Sequence, residues 1–219
     1  MKKIVTSLAV ASILSVSAVA DTDGVFVGIQ GSTGFDYSKQ VVDTPANSTE
    51  GTTATSVTAS VPSWQLGVLG GYKMFFTPKV GLRLYGLINY KSGGLGDSAG
   101  TSYTNSTLAF NANADVLFDF VTSKELDFGV FGGLSLGYAS NELETESDDG
   151  TGVITITRYE YGSGLDFGLN LGLRALLAQK HGLEVYSRIG FLERKESTTT
   201  ATYKSSTPFT LGLRYTYSF

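Results

Sequence analysis

The chain closes on Thr210-Leu211-Gly212-Leu213-Arg214-Tyr215-Thr216-Tyr217-Ser218-Phe219, with a large apolar residue at every second position up to the last one. Successive side chains of a β-strand point to opposite faces, so this stretch carries one apolar face and one small or polar face. Leu211, Leu213, Tyr215, Tyr217 and Phe219 stand together on the first. An apolar face carried to the final residue predicts an ordered strand rather than a frayed tail. It reads as a strand that closes a sheet, with hydrocarbon on one side and something wet on the other.

Seven earlier segments repeat the pattern, at residues 24–34, 63–76, 80–91, 107–120, 126–138, 164–174 and 183–191, with the eighth at 207–219. The fourth is the cleanest: Leu108, Phe110, Ala112, Ala114, Val116, Phe118 and Phe120 interleave with Thr107, Ala109, Asn111, Asn113, Asp115, Leu117 and Asp119. A 3.6-residue period would put Asp115 and Asp119 on the stripe of Phe118 and Ala112, while a period of two keeps them apart. Membrane barrels need an even number of such segments of about 10 residues. The expectation is an all-β fold, an eight-stranded antiparallel up-and-down transmembrane barrel over residues 21–219. A secreted sandwich or lipocalin-like barrel also alternates, but its apolar residues point inward and nothing in it requires aromatic rings at both ends.

Connections assign direction. The links Thr77-Pro78-Lys79, Thr122-Ser123-Lys124-Glu125 and Gln179-Lys180-His181-Gly182 are short, while 35–62, 92–106, 140–160 and 193–206 are long and polar. Short periplasmic turns and long outer loops predict both termini in the periplasm and the loops outside the cell. Aromatic belts agree: Phe75, Phe76, Phe118, Phe120, Phe128, Tyr217 and Phe219 fall at the turn end, and Trp64, Tyr90, Tyr138, Phe191 and Phe209 near the loop end.

The other terminus reads as an export leader. Met1-Lys2-Lys3, an apolar stretch from Ile4 to Val16 and Ala18-Val19-Ala20 predict a cleaved signal peptide over residues 1–20 and a mature start at Asp21. The stretch is too short and too rich in small residues for a helical anchor. Without Lys2 and Lys3, 14 basic residues stand against 20 acidic ones, a net charge of −6 that argues against nucleic-acid binding. The chain has no cysteine, so a hydrogen-bonded framework rather than disulfides must hold the exported fold.

Over the mature chain the pattern resembles the small eight-stranded barrels of the OmpA/OmpX type. The start Gly24-Val25-Phe26-Val27-Gly28 and the finish Tyr215-Thr216-Tyr217-Ser218-Phe219 are similar to outer-membrane proteins of the Helicobacter and Campylobacter group. The resemblance implies a Gram-negative outer-membrane location and a terminal signal, Leu211, Leu213, Tyr215, Tyr217 and Phe219, read by the barrel-insertion machinery. It implies outer-membrane lipid and lipopolysaccharide as surroundings, and a monomer. It does not extend to a peptidoglycan-binding domain, so wall anchoring is not carried over.

Function turns on what fills the barrel. Inward positions carry Lys73, Arg83, Lys91, Asp115, Asp119, Asp127, Asp166, Arg174, Glu184, Arg188 and Arg214. Both signs occur in similar numbers, which suits a paired, closed interior in a lumen only about wide enough for side chains. The lumen glycines Gly67, Gly71, Gly81, Gly129, Gly133, Gly137, Gly168 and Gly172 leave space, which suits a narrow ion path instead. A lipid-modifying enzyme would need a nucleophile system at the lipid, and the only histidine, His181, falls in a turn. No cofactor is expected. Glu142, Glu144, Glu146, Asp148 and Asp149 form an acidic run in which Glu142, Glu144 and Glu146 would line one face of a hairpin arm, solvated or gathered around a cation, and the β-branched run 153–157 extends that arm beyond the membrane. Asn47-Ser48-Thr49 and Asn105-Ser106-Thr107 match a glycosylation pattern by chance in a bacterial chain. Long polar loops on a rigid barrel suit recognition of an extracellular ligand, which makes an adhesin-like surface protein the leading expectation and a small channel the second.

Overall fold

The computed structural model describes residues 23–44, 53–98, 101–123, 125–148, 154–160, 163–197 and 201–219. The expected leader, residues 1–20, lies outside the described residues, as do Asp21, Asn47-Ser48-Thr49, Asp149 and Val153. Among the described residues ten strands follow one another: β1 (Gly24–Thr44), β2 (Thr53–Thr77), β3 (Val80–Ser98), β4 (Thr101–Val121), β5 (Leu126–Asp148), β6 (Ile154–Glu160), β7 (Gly164–Leu177), β8 (His181–Gly190), β9 (Arg194–Ser197) and β10 (Ala201–Ser218). β1 to β5, β7, β8 and β10 pair with their sequence neighbours, and β10 returns to β1 along Phe26↔Ser218 to Val42↔Ala201. That last pairing closes an antiparallel barrel of eight staves. β6 and β9 continue staves beyond the closed part, paired to β5 and β10.

The barrel buries its polar residues and exposes its apolar ones. On β10, Thr210, Arg214, Thr216 and Ser218 are buried inside, whereas Leu211, Leu213, Tyr215 and Phe219 lie open on the outer wall, Leu213 at 66% exposure. Tyr217 is half-buried on the same wall. Asp115 and Ser135 are completely enclosed while Ile29, Leu66, Val68, Leu134, Leu136 and Leu165 face out. A soluble barrel would invert this, because exposed apolar area of that extent is unfavourable in water. The eight predicted segments and their faces stand. One ring of the turn-end belt does not: Phe75 points inward, half-buried against Leu117, Phe131 and Tyr186, because it stands two residues beyond Lys73 on the inner face of β2.

The β7–β8 turn is tighter than the sequence indicates. His181 and Gly182 already belong to β8, and Ala178 and Gln179 make the turn with φ of 49° and 61°, closed by the Lys180 amide donating to the Leu177 carbonyl at 3.0 Å. Two positive φ values match the twist of the flanking strands, but neither residue is the Asn or Gly that announces such a turn in sequence.

The long connections are not loops over most of their length. β1 and β2 stay paired to Thr44↔Thr53, far beyond Trp64↔Ser92, where β2 first meets β3. β5 pairs with β7 as far as Ala139↔Gly164 and with β6 from Glu142↔Glu160 onward. Beyond the closed barrel the described residues therefore form two four-stranded sheets, β2-β1-β10-β9 and β3-β4-β5-β6. Pro208 enters this scheme without cost, since β10 gains a residue between Ser206 and Phe209 and the missing N–H falls at that bulge.

Candidate functional site in the barrel lumen

Register brings the inward charges into two rows. Lys73, Arg83, Asp115 and Gly133 are successive cross-strand partners on β2, β3, β4 and β5. Arg174, Glu184, Arg214 and Gln30 are successive partners on β7, β8, β10 and β1. The rows meet across the lumen where Arg83 donates to Glu184. Arg83 also donates to Asp115 Oδ2 at 2.7 Å, and Arg214 reaches Glu184 Oε2 at 3.2 Å and Gln30 Oε1 at 3.0 Å. One carboxylate thus holds two guanidiniums, as an acceptor with two oxygens can.

Aromatic rings fill what the ion pairs leave. The Arg83 guanidinium carbon stands 4.9 Å from the centre of Phe131, 5.1 Å from Tyr85 and 5.7 Å from Phe26. That of Arg214 stands 4.7 Å from Tyr186 and 5.1 Å from Tyr85. Desolvated cations over ring faces are attracted by about 2 kcal/mol or more. Gln30, Arg83, Asp115, Phe131, Glu184 and Arg214 span six staves, so the layer crosses the lumen as one packed cross-section.

Further networks lie on either side. Toward the turns, Arg174 pairs with Asp119 at 3.0 Å and stacks over Phe75, and Lys73 is buried with no carboxylate within 4.0 Å among the described residues. Asp127 belongs to the turns rather than the lumen middle: its carboxylate accepts from the Ser123 amide at 2.9 Å and from Gln179 at 3.3 Å. Toward the arms, Asp166 accepts from Arg188 at 2.8 Å and Asn111 at 3.0 Å, with Arg194 at 3.7 Å. Lys91 pairs with Asp36 at 2.6 Å, and Thr207 bonds both. Between these arm-side pairs and the Arg214 layer lies a cavity of about 40 Å³, lined by Gln65, Asn89, Thr107, Asn170 and Thr210. Such a volume holds a few waters.

Every inward charge read from the sequence therefore faces the interior or the turn rim, buried except for Asp166 and Arg188, which are half-buried toward the arms. What the sequence reading missed is the set of partners: Asp36 and Arg194, which lie in the supposed loops, and the rings of Phe26, Tyr85, Phe131 and Tyr186. The lumen glycines serve packing. Asn111, Asp115 and Asp119 stand opposite Gly137, Gly133 and Gly129, and a Cβ on any of these glycines would run into the facing side chain or backbone. A Cβ on Gly67 would come within 2.9 Å of Asn89 Oδ1, and one on Gly172 within 2.5 Å of Phe131. The missing side chains make room for neighbours, not for ions.

Outside the barrel, His181 Nδ1 and the Tyr215 hydroxyl lie 2.8 Å apart at the turn end of the outer wall. On the arm, Glu142 and Glu144 share Arg158, at 3.4 Å and 2.8 Å, so a guanidinium occupies the place considered for a cation. The hydrogen bond that Arg158 donates to the Glu144 carboxylate holds its guanidinium above its ordinary pKa.

A closed barrel that turns apolar side chains to lipid and pairs its charges inside is an outer-membrane β-barrel. The chain belongs to the family described as Helicobacter outer membrane protein, whose model matches residues 67–219. No curated protein matches the sequence. Similar solved structures include OprG from Pseudomonas aeruginosa (17% identity, 90% of this chain and 96% of that one, TM-score 0.48). They also include Neisserial surface protein A (14%, 90% and 97%, TM-score 0.43) and Ail of Yersinia pestis (11%, 85% and 97%, TM-score 0.33).

Proposed function

We propose that this protein is a closed outer-membrane barrel that serves as a surface structural and interaction protein through its two protruding sheets. The observation that carries the reading is the Arg83–Glu184–Arg214 layer, which packs ion pairs and rings across the lumen and leaves recognition to the arms. Both termini face the periplasm, the arms face outward, and Leu211, Leu213, Tyr215, Tyr217 and Phe219 form the wall that the insertion machinery reads. The barrel acts as a monomer in lipid and lipopolysaccharide, does not bind nucleic acid and performs no catalysis. His181, the one histidine a lipid-modifying nucleophile system could draw on, is hydrogen-bonded to Tyr215 at the turn end of the outer wall.

Single-channel recording on the refolded chain 21–219 in a planar bilayer tests this. The expected result is no discrete conductance from a barrel shown to be folded and inserted. Discrete openings whose selectivity changes in Arg83→Gln or Asp115→Asn would replace the plug with the second reading, a small channel. That reading is favoured by the arm-side cavity and by Lys73, which together place polar space on both sides of the layer.

A further inference from the structure

On the turn side of the Arg83 layer the lumen holds a cation that makes no ion pair. Lys73 lies four residues before the end of β2 at Thr77, faces inward and is 5% exposed. Its cross-strand neighbours are Gly24, which has no side chain, and Arg83, whose bonds go to Asp115 and Glu184. The charged groups that act on Lys73 most strongly are two further cations, Arg174 and then Arg83, ahead of the carboxylates of Asp119 and Asp127. A buried charge is costly unless something pairs with it.

The hydrogen-bond inventory at this end of the lumen is one-sided. Of the nearby carboxylate oxygens, Asp119 Oδ2 accepts from Arg174 and Asp119 Oδ1 is sealed among protein atoms. Both Asp127 oxygens are taken, one by the Ser123 amide and the other by Gln179. The donors are less fully used. Arg174 gives one N–H to Asp119 and one face to the Phe75 ring, and its fork carries further N–H groups. The Lys73 ammonium, which can only donate, makes no hydrogen bond among the described residues, and its nitrogen is not sealed as Asp119 Oδ1 is. Ser218, buried on β10, is the partner of Phe26, two residues along β1 from Gly24, and brings a hydroxyl to the same end. Open donors beside used or sealed acceptors suit an anion rich in acceptors and do not suit a cation.

We propose that Lys73 and Arg174 form a binding site for a small oxyanion in the turn-side lumen, with the Ser218 hydroxyl as a further donor. An oxyanion held there pairs the buried ammonium and takes up the remaining N–H groups of Arg174. It has to be small, because the lumen of an eight-stranded barrel is filled largely by side chains. The site rests on the closed lumen proposed above: the Arg83–Glu184–Arg214 layer keeps the ion from passing to the arms, so it enters and leaves at the turn end.

Inorganic phosphate is the probe. Its phosphorus NMR line is followed as the refolded chain 21–219 is added in detergent micelles, at constant ionic strength. Wild type should broaden the line saturably. Lys73→Met keeps most of the side chain's length and breaks no ion pair, and it should weaken binding about ten-fold or more, the loss of one charge-assisted hydrogen bond. Heat-modifiable mobility reports whether that variant folds. Lys79→Met, at an exposed turn, and Arg188→Gln, on the arm side of the layer, should leave binding unchanged. Equal binding by folded Lys73→Met overturns the site. So does a loss confined to Arg188→Gln, which would move the ion to the arm-side cavity, and so does broadening that never saturates. Wild type supplies a second test that needs no variant. Phosphate should slow the carbamoylation of Lys73 by cyanate several-fold while exposed Lys79 and Lys180 react at unchanged rates, and a Lys73 rate indifferent to phosphate overturns the site. Bilayer recording in phosphate separates the two readings: a phosphate current would sink the closed lumen, while the Lys73 dependence of binding still decides the site.

Discussion

Glu184 is enclosed among two guanidiniums and no water-facing surface, so its charge is matched entirely by protein. Glu184→Gln would leave Arg83 and Arg214 buried with less negative charge than they were built around. Removing one partner from a buried pair costs about 3–5 kcal/mol, since the remaining charge stays desolvated. Urea unfolding of the refolded barrel should show the loss as a lower midpoint. Arg158→Gln, which breaks a pair open to solvent, should leave the midpoint where it is, because exposed pairs contribute little. An unchanged midpoint for Glu184→Gln would mean that the layer is wet and the plug incomplete. Alternation in β4 and β8 was enough to place Asp115 and Glu184 inside from sequence. Their partners were not legible, because alternation assigns a face and says nothing of which residues on distant strands share a height; that depends on the stagger of all eight staves. The glycines misled for the same reason. Gly133 reads as empty space until Asp115 is known to be its cross-strand partner.

The short turns behave as elements of their own. Asp127, at the start of β5, ties the β4–β5 turn to the β7–β8 turn by accepting from Ser123 and Gln179. A hydrogen bond to a carboxylate contributes about 1.5–3 kcal/mol when both groups are shielded, and Asp127 is buried. Asp127→Ala should lower stability by about 1–2 kcal/mol and speed hydrogen exchange at the Ser123 amide. Asp127→Asn, which keeps one acceptor, should recover part of both. Exchange unchanged at Ser123 would show that the turn holds itself. The sequence placed Asp127 among the lumen charges because alternation does not mark where a stave leaves the membrane. Of the arms, it marked the β5–β6 one by its β-branched run and took the others for loops: their runs of Thr, Ser and Gly lack the large apolar face that identifies a membrane strand. Backbone pairing continues there because β1 and β2 remain in register once the barrel has set them side by side.

At the scale of the whole molecule, the claim on which the rest depends is that the outer wall meets hydrocarbon. The terminal strand offers a contrast between neighbours. Leu213 lies on the outer face about midway between Phe209 and Phe219, and Arg214 lies on the inner face beside it. In a bilayer, Leu213→Arg would put a cation near the midplane, at a cost of roughly 2–4 kcal/mol. In water the same change would be neutral or would improve solubility, since it replaces an exposed leucine. Unfolding measured in lipid vesicles should therefore show a loss of that size. A parallel Phe35→Arg, at the girdle on the arm side, should lose no more than about 1 kcal/mol, because the penalty falls toward the interface. Equal, small effects at both positions would mean that the wall does not span a hydrocarbon slab, whatever its pattern. A large effect at Leu213 and a small one at Phe35 would measure the slab's thickness along a single strand.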